Sequence, residues 1–221
     1  MLLQIPSVMT PHQVRELLDE LERIPYQDGT VSGHKALKRN LQLSGHTPEA
    51  QKLLNLVIRA LVTNRTFTSF AQPRTFQLVF NRYEAGMYYK DHMDAALMGN
   101  TRGQPIRTDL SFTVFLTDPA TYEGGDFVMR TNFGDLKVRG EVGSAICYPS
   151  NMLHRVETVT KGARWAAVGW VQSFVRGLDE RLALFELDQL RDRITANSIE
   201  HPEDEHFGRL RENLLRLWVE V

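Results

Sequence analysis

Two segments near the N-terminus place apolar residues at the spacing of an amphipathic helix. Thr10, Pro11 and Gln13 form a capping-box pattern before the first segment, and Thr47 with Pro48 begins the second in a similar way. The apolar positions of the two segments are Val14, Leu17, Leu18, Leu21, Leu53, Leu54, Val57, Ile58 and Leu61. We therefore expect two helices, each of which covers one face of a flat structure such as a sheet.

Between these two predicted helices, residues 26–45 are rich in Gly, Lys and polar side chains, which predicts mostly loop. Its basic residues Lys35, Lys38 and Arg39 could line the entrance to a substrate site. Charged residues in a polar stretch are usually solvated, however. The pattern therefore favours surface charges for all three.

After Pro73 the pattern changes to short apolar runs separated by Gly and Pro turns. Within 110–116, apolar residues alternate with polar or less buried positions, as expected for a strand with one face on a core. The predicted strands are 74–83, 108–117, 126–129, 136–138, 144–148, 154–160 and 164–174. Short strands at this spacing indicate an all-β sandwich or barrel rather than βαβ units.

From Leu178 the helical spacing returns, and a polar break at 201–204 divides it into two predicted helices. This tail of about forty residues is too small to hold a core of its own. We expect it to dock on the β core or on another subunit. The predicted organisation is an N-terminal helical flank (1–73), a β core (74–177) and a C-terminal helical extension (178–221).

Composition and charge narrow the class of protein. The chain has 221 residues, 42% hydrophobic and 24% charged, with a formal net charge of -1. Without a basic excess we expect no nucleic-acid partner, and without a polybasic run no membrane surface. The first residues lack the regions of a signal peptide, and no run approaches the roughly 20 apolar residues that span a bilayer. We expect a cytoplasmic protein.

A single cysteine, Cys147, excludes an internal disulfide and a cysteine-based metal cluster. It lies in the apolar run 145–148, so we expect a small core residue, with a reactive thiol as the alternative. Five histidines in helix or loop contexts are expected at the surface: His12, His34, His46, His201 and His206. Gly124 and Gly125 are expected to form a tight turn.

Two other histidines are candidates for chemistry. His92, Met93 and Asp94 form an H-x-D pattern, which on a strand points the imidazole and the carboxylate to the same face. His154 begins a later predicted strand and can supply a third ligand. Two His and one carboxylate form the facial triad that binds ferrous iron and leaves positions open for a co-substrate and dioxygen.

Arg164 stands ten residues after His154, near the start of the next predicted strand. A guanidinium grips a carboxylate through two parallel hydrogen bonds, and a buried Arg needs such a partner. A dicarboxylic co-substrate would supply one if it chelated iron at one end and paired with Arg164 at the other.

Four motifs together carry a family resemblance. They are Y-x-x-G-x-x-Y-x-x-H-x-D at 83–94, Y-E-G-G-D-F at 122–127, P-S-x-x-L-H-x-V at 149–156 and G-x-R-W at 162–165. The combination resembles the Fe(II)/2-oxoglutarate-dependent dioxygenases. Within them it is similar to the prolyl 4-hydroxylase-like PKHD-type hydroxylases, the PiuC/YbiX group. The motifs cover roughly residues 76–174.

The resemblance implies a mainly β (α+β) protein with a double-stranded β-helix (jelly-roll) core and flanking helices. It implies that His92, Asp94 and His154 bind Fe(2+), that Arg164 binds the far carboxylate of 2-oxoglutarate, and that Tyr83 adds a hydrogen bond to this co-substrate. It also implies L-ascorbate as a reductant. The implied reaction decarboxylates 2-oxoglutarate to succinate and hydroxylates a C–H bond of an unidentified substrate with dioxygen.

The substrate and two other functions stay open. Prolyl hydroxylases suggest a peptide or protein side chain, whereas the association of the group with iron uptake also allows a siderophore-like small molecule. The alternatives are a jelly-roll metal-binding or sensing module without turnover, and a zinc-dependent hydrolase that uses the same triad. The polar loop 98–105 is either a lid or a plain surface loop, and the C-terminal helices are a candidate homo-oligomer interface.

Overall fold

Two antiparallel sheets face each other across a cavity in the computed structural model, which describes residues 1–32, 36–43, 47–99, 105–196 and 204–220. The helices are α1 (Pro11–Leu21), α2 (Pro48–Thr63), α3 (Arg65–Ala71), α4 (Leu178–Thr195) and α5 (Asp204–Trp218). The strands are β1 (Leu3–Ile5), β2 (Gln27–Asp28), β3 (Lys38–Arg39), β4 (Leu41–Leu43), β5 (Pro73–Glu84), β6 (Tyr88–His92), β7 (Leu97–Gly99), β8 (Pro105–Arg107), β9 (Leu110–Phe115), β10 (Glu123–Gly124), β11 (Phe127–Thr131), β12 (Gly134–Val138), β13 (Ala145–Pro149), β14 (His154–Val156), β15 (Val159–Lys161) and β16 (Ala163–Ser173).

The larger sheet has seven strands in the order β1-β13-β9-β16-β5-β4-β2, and the smaller has five in the order β12-β11-β14-β6-β3. Two-stranded ribbons, β10–β15 and β7–β8, complete the described strands. The longest ladder joins β5 to β16 and continues from β16 to β9. The predicted mainly β core with flanking helices is confirmed.

The first two predicted helices are present with their predicted caps. Thr10 Oγ1 accepts a hydrogen bond from the backbone N of Gln13 at 3.2 Å, and Gln13 Oε1 accepts one from the backbone N of Thr10 at 2.8 Å. Thr47 caps α2 through the backbone N of Ala50 at 3.2 Å. The buried residues of both helices belong to one hydrophobic core with Phe80 and other residues of the larger sheet.

The sequence pattern did not predict α3 as a separate helix. Asn64 ends α2 and caps α3 by accepting from the backbone N of Phe67 at 3.0 Å. Gln72 ends α3 in the left-handed conformation, at φ 42°. The helix has only seven residues, which is too short for its apolar residues to show a helical period.

The predicted alternation in β9 is wrong in one respect. Every residue of Leu110–Phe115 is buried, including Ser111 and Thr113. Helices cover one face of this strand, and the smaller sheet and the cavity cover the other. A strand covered on both faces loses the contrast between inner and outer positions.

Residues 26–45, predicted to be mostly loop, contain more regular structure than expected. This stretch contains β2, β3 and β4, and it contributes to both sheets, since β3 pairs with β6 and β4 pairs with β5. Lys38 is buried and Arg39 is exposed, so the expectation of solvated charge holds for only one of these two. Lys35 lies outside the described residues.

The predicted loop at 98–105 begins and ends within a hairpin, because β7 pairs with β8. Its central residues, 100–104, lie outside the described ranges. The C-terminal helices dock on the same chain: Phe185 of α4 packs edge-on against Phe70 of α3 at 5.5 Å between ring centroids. In the parts of the chain that the structure describes, no helix has both the length and the apolar composition of a bilayer-spanning segment.

Candidate active site

A cavity of about 710 Å³ lies between the two sheets. Its walls bring together all five residues singled out from the sequence: Tyr83, His92, Asp94, His154 and Arg164. These residues come from four separate segments of the chain, so the fold rather than the local sequence assembles them.

The two histidines and the aspartate lie close enough to share one ion. His92 is the last residue of β6, and His154, the first residue of β14, is its partner in the ladder. Asp94 lies two residues beyond the end of β6, not on the strand as the H-x-D pattern suggested. One ligand atom from each of the three side chains lies within 4.8 Å of the other two.

Both imidazoles are held with one nitrogen directed at the aspartate. His92 Nδ1 lies 2.8 Å from the carbonyl oxygen of Lys90, and His154 Nδ1 lies 2.9 Å from that of Met152. A carbonyl oxygen only accepts, so Nδ1 carries the hydrogen and Nε2 keeps its lone pair. The Nε2 atoms lie 4.0 Å (His92) and 3.9 Å (His154) from the carboxylate oxygens of Asp94.

Packing and burial favour a neutral His92. Its ring stacks on Tyr89 at 3.5 Å between centroids. Burial, and then the neighbouring His154, lower the pKa of His92 to about 4. A metal takes the neutral imidazole, so the site presents its nitrogen donors in the required form. Two nitrogens and one oxygen are a donor set that suits ferrous iron.

A serine that the sequence did not single out orients the carboxylate. Ser111 Oγ, on β9, donates to Asp94 Oδ2 at 2.5 Å and lies 2.8 Å from Ser150 Oγ. The backbone N of Asp94 also donates to the carbonyl oxygen of Ser150 at 3.3 Å. These contacts fix Asp94 beyond the end of its strand. Only the pairing of β9 with its neighbours brings Ser111 there, so the sequence carried no local signal for it.

Arg164 is 2% exposed, yet two of its nitrogens have no partner. Among the described residues, no group accepts a hydrogen bond from its Nε or Nη1. The guanidinium instead lies 5.6 Å from the ring centroids of both Tyr83 and Phe115. A buried cation in such surroundings is costly without an anion. The geometry therefore fits the carboxylate end of a dicarboxylic ligand.

Tyr83 lies directly opposite Arg164 in the β5–β16 ladder and is 1% exposed. Burial raises the pKa of its phenol above the usual range, although Arg164 acts in the opposite direction. The phenol is therefore neutral and can donate. Its hydrogen bond to a co-substrate stays a prediction.

Lys38 is the functional candidate that the sequence pattern placed wrongly. It lines the cavity at 5% exposure, its Nζ donates to Gln42 Oε1 at 2.9 Å, and it lies 5.2 Å from the ring centroid of Tyr89. Burial lowers the pKa of this ammonium to about 8. Lys38, Asn40 and Gln42 are all buried. Their spacing of two residues is the spacing of side chains on one face of an extended segment, and it was the signal in the sequence that could have indicated strands here.

The remaining sequence candidates have structural or surface positions. His12 and His206 are exposed as expected, and His34, His46 and His201 lie outside the described residues. Cys147 is fully buried, and burial raises the pKa of its thiol to about 12, which confirms a core residue. Gly124 and Gly125 have φ values of +70° and +67° at the β10 turn, as predicted.

Comparison with known proteins identifies the family. The family model of the 2OG-Fe(II) oxygenase superfamily matches residues 78–172. A PKHD-type hydroxylase of Rippkaea orientalis is 42% identical over 223 residues, with 99% of each chain covered. Another, from a Picosynechococcus species, is 40% identical over 224 residues and covers both chains fully. The chain belongs to the PKHD-type hydroxylases.

Solved structures of low sequence identity share the fold of this hydroxylase. A Pseudomonas putida prolyl-4-hydroxylase is 17% identical with a TM-score of 0.56, over 78% of this chain and 92% of that one. HygX from Streptomyces hygroscopicus, solved with nickel and 2-oxoglutarate, is 17% identical with a TM-score of 0.56, over 79% and 84%. The predicted jelly-roll core is confirmed. As a member of its family, the hydroxylase is an Fe(II)- and 2-oxoglutarate-dependent dioxygenase.

Proposed function

We propose that this hydroxylase holds Fe(2+) with His92, Asp94 and His154 and binds the distal carboxylate of 2-oxoglutarate with Arg164, assisted by Tyr83. When bound, Fe(2+) and 2-oxoglutarate would supply the oxidising chemistry. In this reaction 2-oxoglutarate, dioxygen and a substrate C–H bond give succinate, carbon dioxide and an alcohol. The protein residues position these reactants and exclude water.

The single observation that carries the proposal is the buried Arg164, whose Nε and Nη1 have no partner among the described residues, in the same cavity as the triad. The triad alone fits several metals and reactions. A hydrolase that used zinc on the same three residues would have no role for a cation at this depth. A dicarboxylic co-substrate accounts for both the donor set and the guanidinium, because each of its ends has a partner.

Each protein residue has a defined task in this proposal. His92 and His154 present Nε2 lone pairs because backbone carbonyls hold their Nδ1 hydrogens. Ser111 fixes the carboxylate of Asp94 through its hydrogen bond. The ring of Tyr83 lies beside the guanidinium of Arg164, 5.6 Å from its central carbon to the ring centroid. Pre-positioning of this kind lowers the cost of ordering the reactants at the moment of reaction.

The finer parts of the proposal concern substrate and setting. Within this fold, a prolyl hydroxylase of Trichoplax adhaerens was solved with a peptide fragment, and HygX was solved with hygromycin B. Both a peptide side chain and a small molecule therefore stay candidate substrates. The proposal also includes a link to iron uptake, ascorbate as the reductant and a cytoplasmic location. It further includes association through the C-terminal helices and a division of the chain into three parts at 73/74 and 177/178.

The test is loading followed by turnover. Protein is loaded anaerobically with Fe(2+) and 2-oxoglutarate, exposed to dioxygen, and assayed for succinate, with mass spectrometry for a product that has gained one oxygen. We expect wild type to form succinate, and H92A, D94A and H154A to form it at less than one hundredth of that rate. H12A, which removes an exposed histidine, is the matched control.

Metal retention after dialysis is measured for the same variants. The triad variants should lose the metal while H12A keeps it. Full succinate formation by D94A would refute the triad assignment. Turnover that needs neither dioxygen nor 2-oxoglutarate would favour the hydrolase instead, and bound metal and co-substrate without any turnover would favour the sensing module.

A further inference from the structure

The cavity continues well past Arg164 and reaches Trp170, which pairs with Ser111 of β9 beside Asp94. Arg164 and Trp170 both line it from β16, six residues apart, which is roughly 20 Å at the rise of a strand. A five-carbon dicarboxylate is much shorter than this distance. The end of the cavity near Trp170 is therefore available to a second ligand when 2-oxoglutarate lies at Arg164.

Two polar atoms at this end lack partners. Trp170 and Gln77 are opposite each other in the β5–β16 ladder, and both line the cavity. In the described part of the chain, no group hydrogen-bonds to the buried Trp170 Nε1 or Gln77 Oε1. Unpaired buried polar atoms are uncommon in folded proteins. A donor beside an acceptor suits a ligand group that both accepts and donates, as an amide does.

Lys38 brings a positive charge to the wall of the same cavity. It is buried and reaches the cavity from β3, at the edge of the smaller sheet. Asp94 and Arg164 also line the cavity, but both already have roles in the proposed function, whereas Lys38 has none there. In a cavity of low dielectric, a lysine ammonium attracts an anion more strongly than at the surface.

The mouth of the cavity adds an apolar rim. Met93 is 61% exposed and contributes to the cavity wall between His92 and Asp94. Met98 of β7 lines the cavity as well. An apolar portion of a ligand can therefore lie beside the metal ligands while its polar groups reach inward.

We propose that Lys38, Gln77 and Trp170 form the subsite for the primary substrate, and that this substrate carries a carboxylate together with an amide. Lys38 attracts the carboxylate, while Trp170 Nε1 donates to the amide oxygen and Gln77 Oε1 accepts from the amide N–H. The class that fits is an N-acylated amino acid or a peptide with a free carboxylate. This inference rests on the proposed function and names the substrate class of the same site.

The test measures binding without turnover. Protein is loaded with Mn(2+) and saturated with N-oxalylglycine, an unreactive analogue of 2-oxoglutarate, so that the co-substrate position is filled. The probes are a panel of N-acetyl amino acids, their neutral N-methylamides, and short peptides with free or amidated C-termini. Ligand-observed NMR gives a dissociation constant for each probe, and the peptide arm distinguishes a small molecule from a peptide.

We expect at least one acid to bind wild type at least tenfold more tightly than its neutral counterpart. K38M should lose this preference, and K38R should keep most of it. W170F and Q77L should each weaken acid and neutral probe alike by threefold or more. K52M, at an exposed lysine of α2, and W218F, on α5, are the matched controls and should bind as wild type does.

Three outcomes would overturn the inference: no saturable binding of any acid to wild type, no preference for acids over neutral probes, or a K38M variant that retains the preference. Binding of Mn(2+) and N-oxalylglycine is measured in the same samples. If wild type binds neither, the proposed function fails. If it binds both and the preference is absent, only the substrate subsite fails.

Discussion

Arg164 and Tyr83 lie directly opposite each other on β16 and β5, with the centre of the guanidinium 5.6 Å from the centroid of the phenol ring. The pairing places a permanent cation and a neutral O–H donor at one end of the cavity. Because both side chains are almost fully buried, a ligand that reaches them must be desolvated. Such a site strengthens each hydrogen bond to a carboxylate.

We predict that R164M raises the dissociation constant of 2-oxoglutarate about 100-fold. A charge-assisted contact of this kind contributes about 3 kcal/mol, and each 1.4 kcal/mol is a factor of ten. Y83F, which removes only a neutral hydroxyl, should raise it about threefold to tenfold. Calorimetric titration of the Mn(2+)-loaded protein measures both values.

R23M, at an exposed arginine near the end of α1, is the matched control and should bind as wild type does. An R164M variant with wild-type affinity would show that the distal carboxylate binds elsewhere.

Ser111 provides a second prediction, because it acts on the metal only through Asp94. S111A removes the 2.5 Å hydrogen bond to Asp94 Oδ2 and leaves all three proposed ligands in place. Loss of a partner of this kind typically weakens metal binding about 10–100-fold. We expect this loss in a competition titration with a metal chelator, and we expect S111T, which keeps a hydroxyl, to restore part of it.

S144A is the control, since the Ser144 hydroxyl bonds to the backbone oxygen of Glu141 in a turn outside the cavity wall. Equal metal affinity in S111A and S144A would mean that the carboxylate needs no support from β9.

The sequence predicted the parts of this protein whose signal is local. The capping box at Thr10 and the period of the apolar residues after it defined α1 without tertiary information. The triad and Arg164 were predicted because their order along the chain matched a family pattern, and the structure brings them into one cavity. Their individual spacing would not have distinguished them from structural residues.

Contacts between distant segments could not be predicted in the same way. Lys38 lies in a stretch whose Gly and polar residues indicate a loop, and only pairing of β3 with β6 buries it. The sequence pattern predicts Ser111 on the solvent-facing side of a half-exposed strand, whereas both faces of β9 are buried in the structure. In both cases tertiary packing overrode local composition. The partnerless atoms of Gln77 and Trp170 are likewise visible only in three dimensions.

Lys38 has a pH-dependent effect on stability with a definite sign. Burial lowers its pKa in the folded protein to about 8, against 10.5 for an exposed lysine. Between these values the unfolded chain binds the proton and the folded protein does not, so the free energy of unfolding rises with pH. One pKa unit corresponds to 1.36 kcal/mol, so the gain is about 2–3 kcal/mol across this window.

We therefore predict that wild type gains about 2–3 kcal/mol of stability relative to K38M between pH 8 and pH 10.5. Urea denaturation of the metal-free proteins at several pH values measures the difference. K52M, at an exposed lysine, should change in parallel with wild type. A constant difference between wild type and K38M would mean that the ammonium is not buried in solution.

Asp188 of α4 connects the C-terminal helices to the rest of the chain. It is buried, accepts a hydrogen bond from Ser69 Oγ of α3 at 2.6 Å, and accepts another from Arg211 Nε of α5 at 2.9 Å. Its removal leaves a buried hydroxyl and a guanidinium without their shared acceptor. Loss of one partner in such a buried network costs about 3–5 kcal/mol.

We predict that D188A lowers the free energy of unfolding by about 3 kcal/mol, and D188N by about half as much, because the amide oxygen can still accept one hydrogen bond. E186A, at an exposed position of the same helix, is the matched control. Because no described residue of α4 or α5 lines the cavity, folded D188A should bind 2-oxoglutarate as wild type does. Urea denaturation and calorimetry measure the two effects. If D188A is as stable as E186A, the docking of the C-terminal helices depends on their apolar contacts and not on this network.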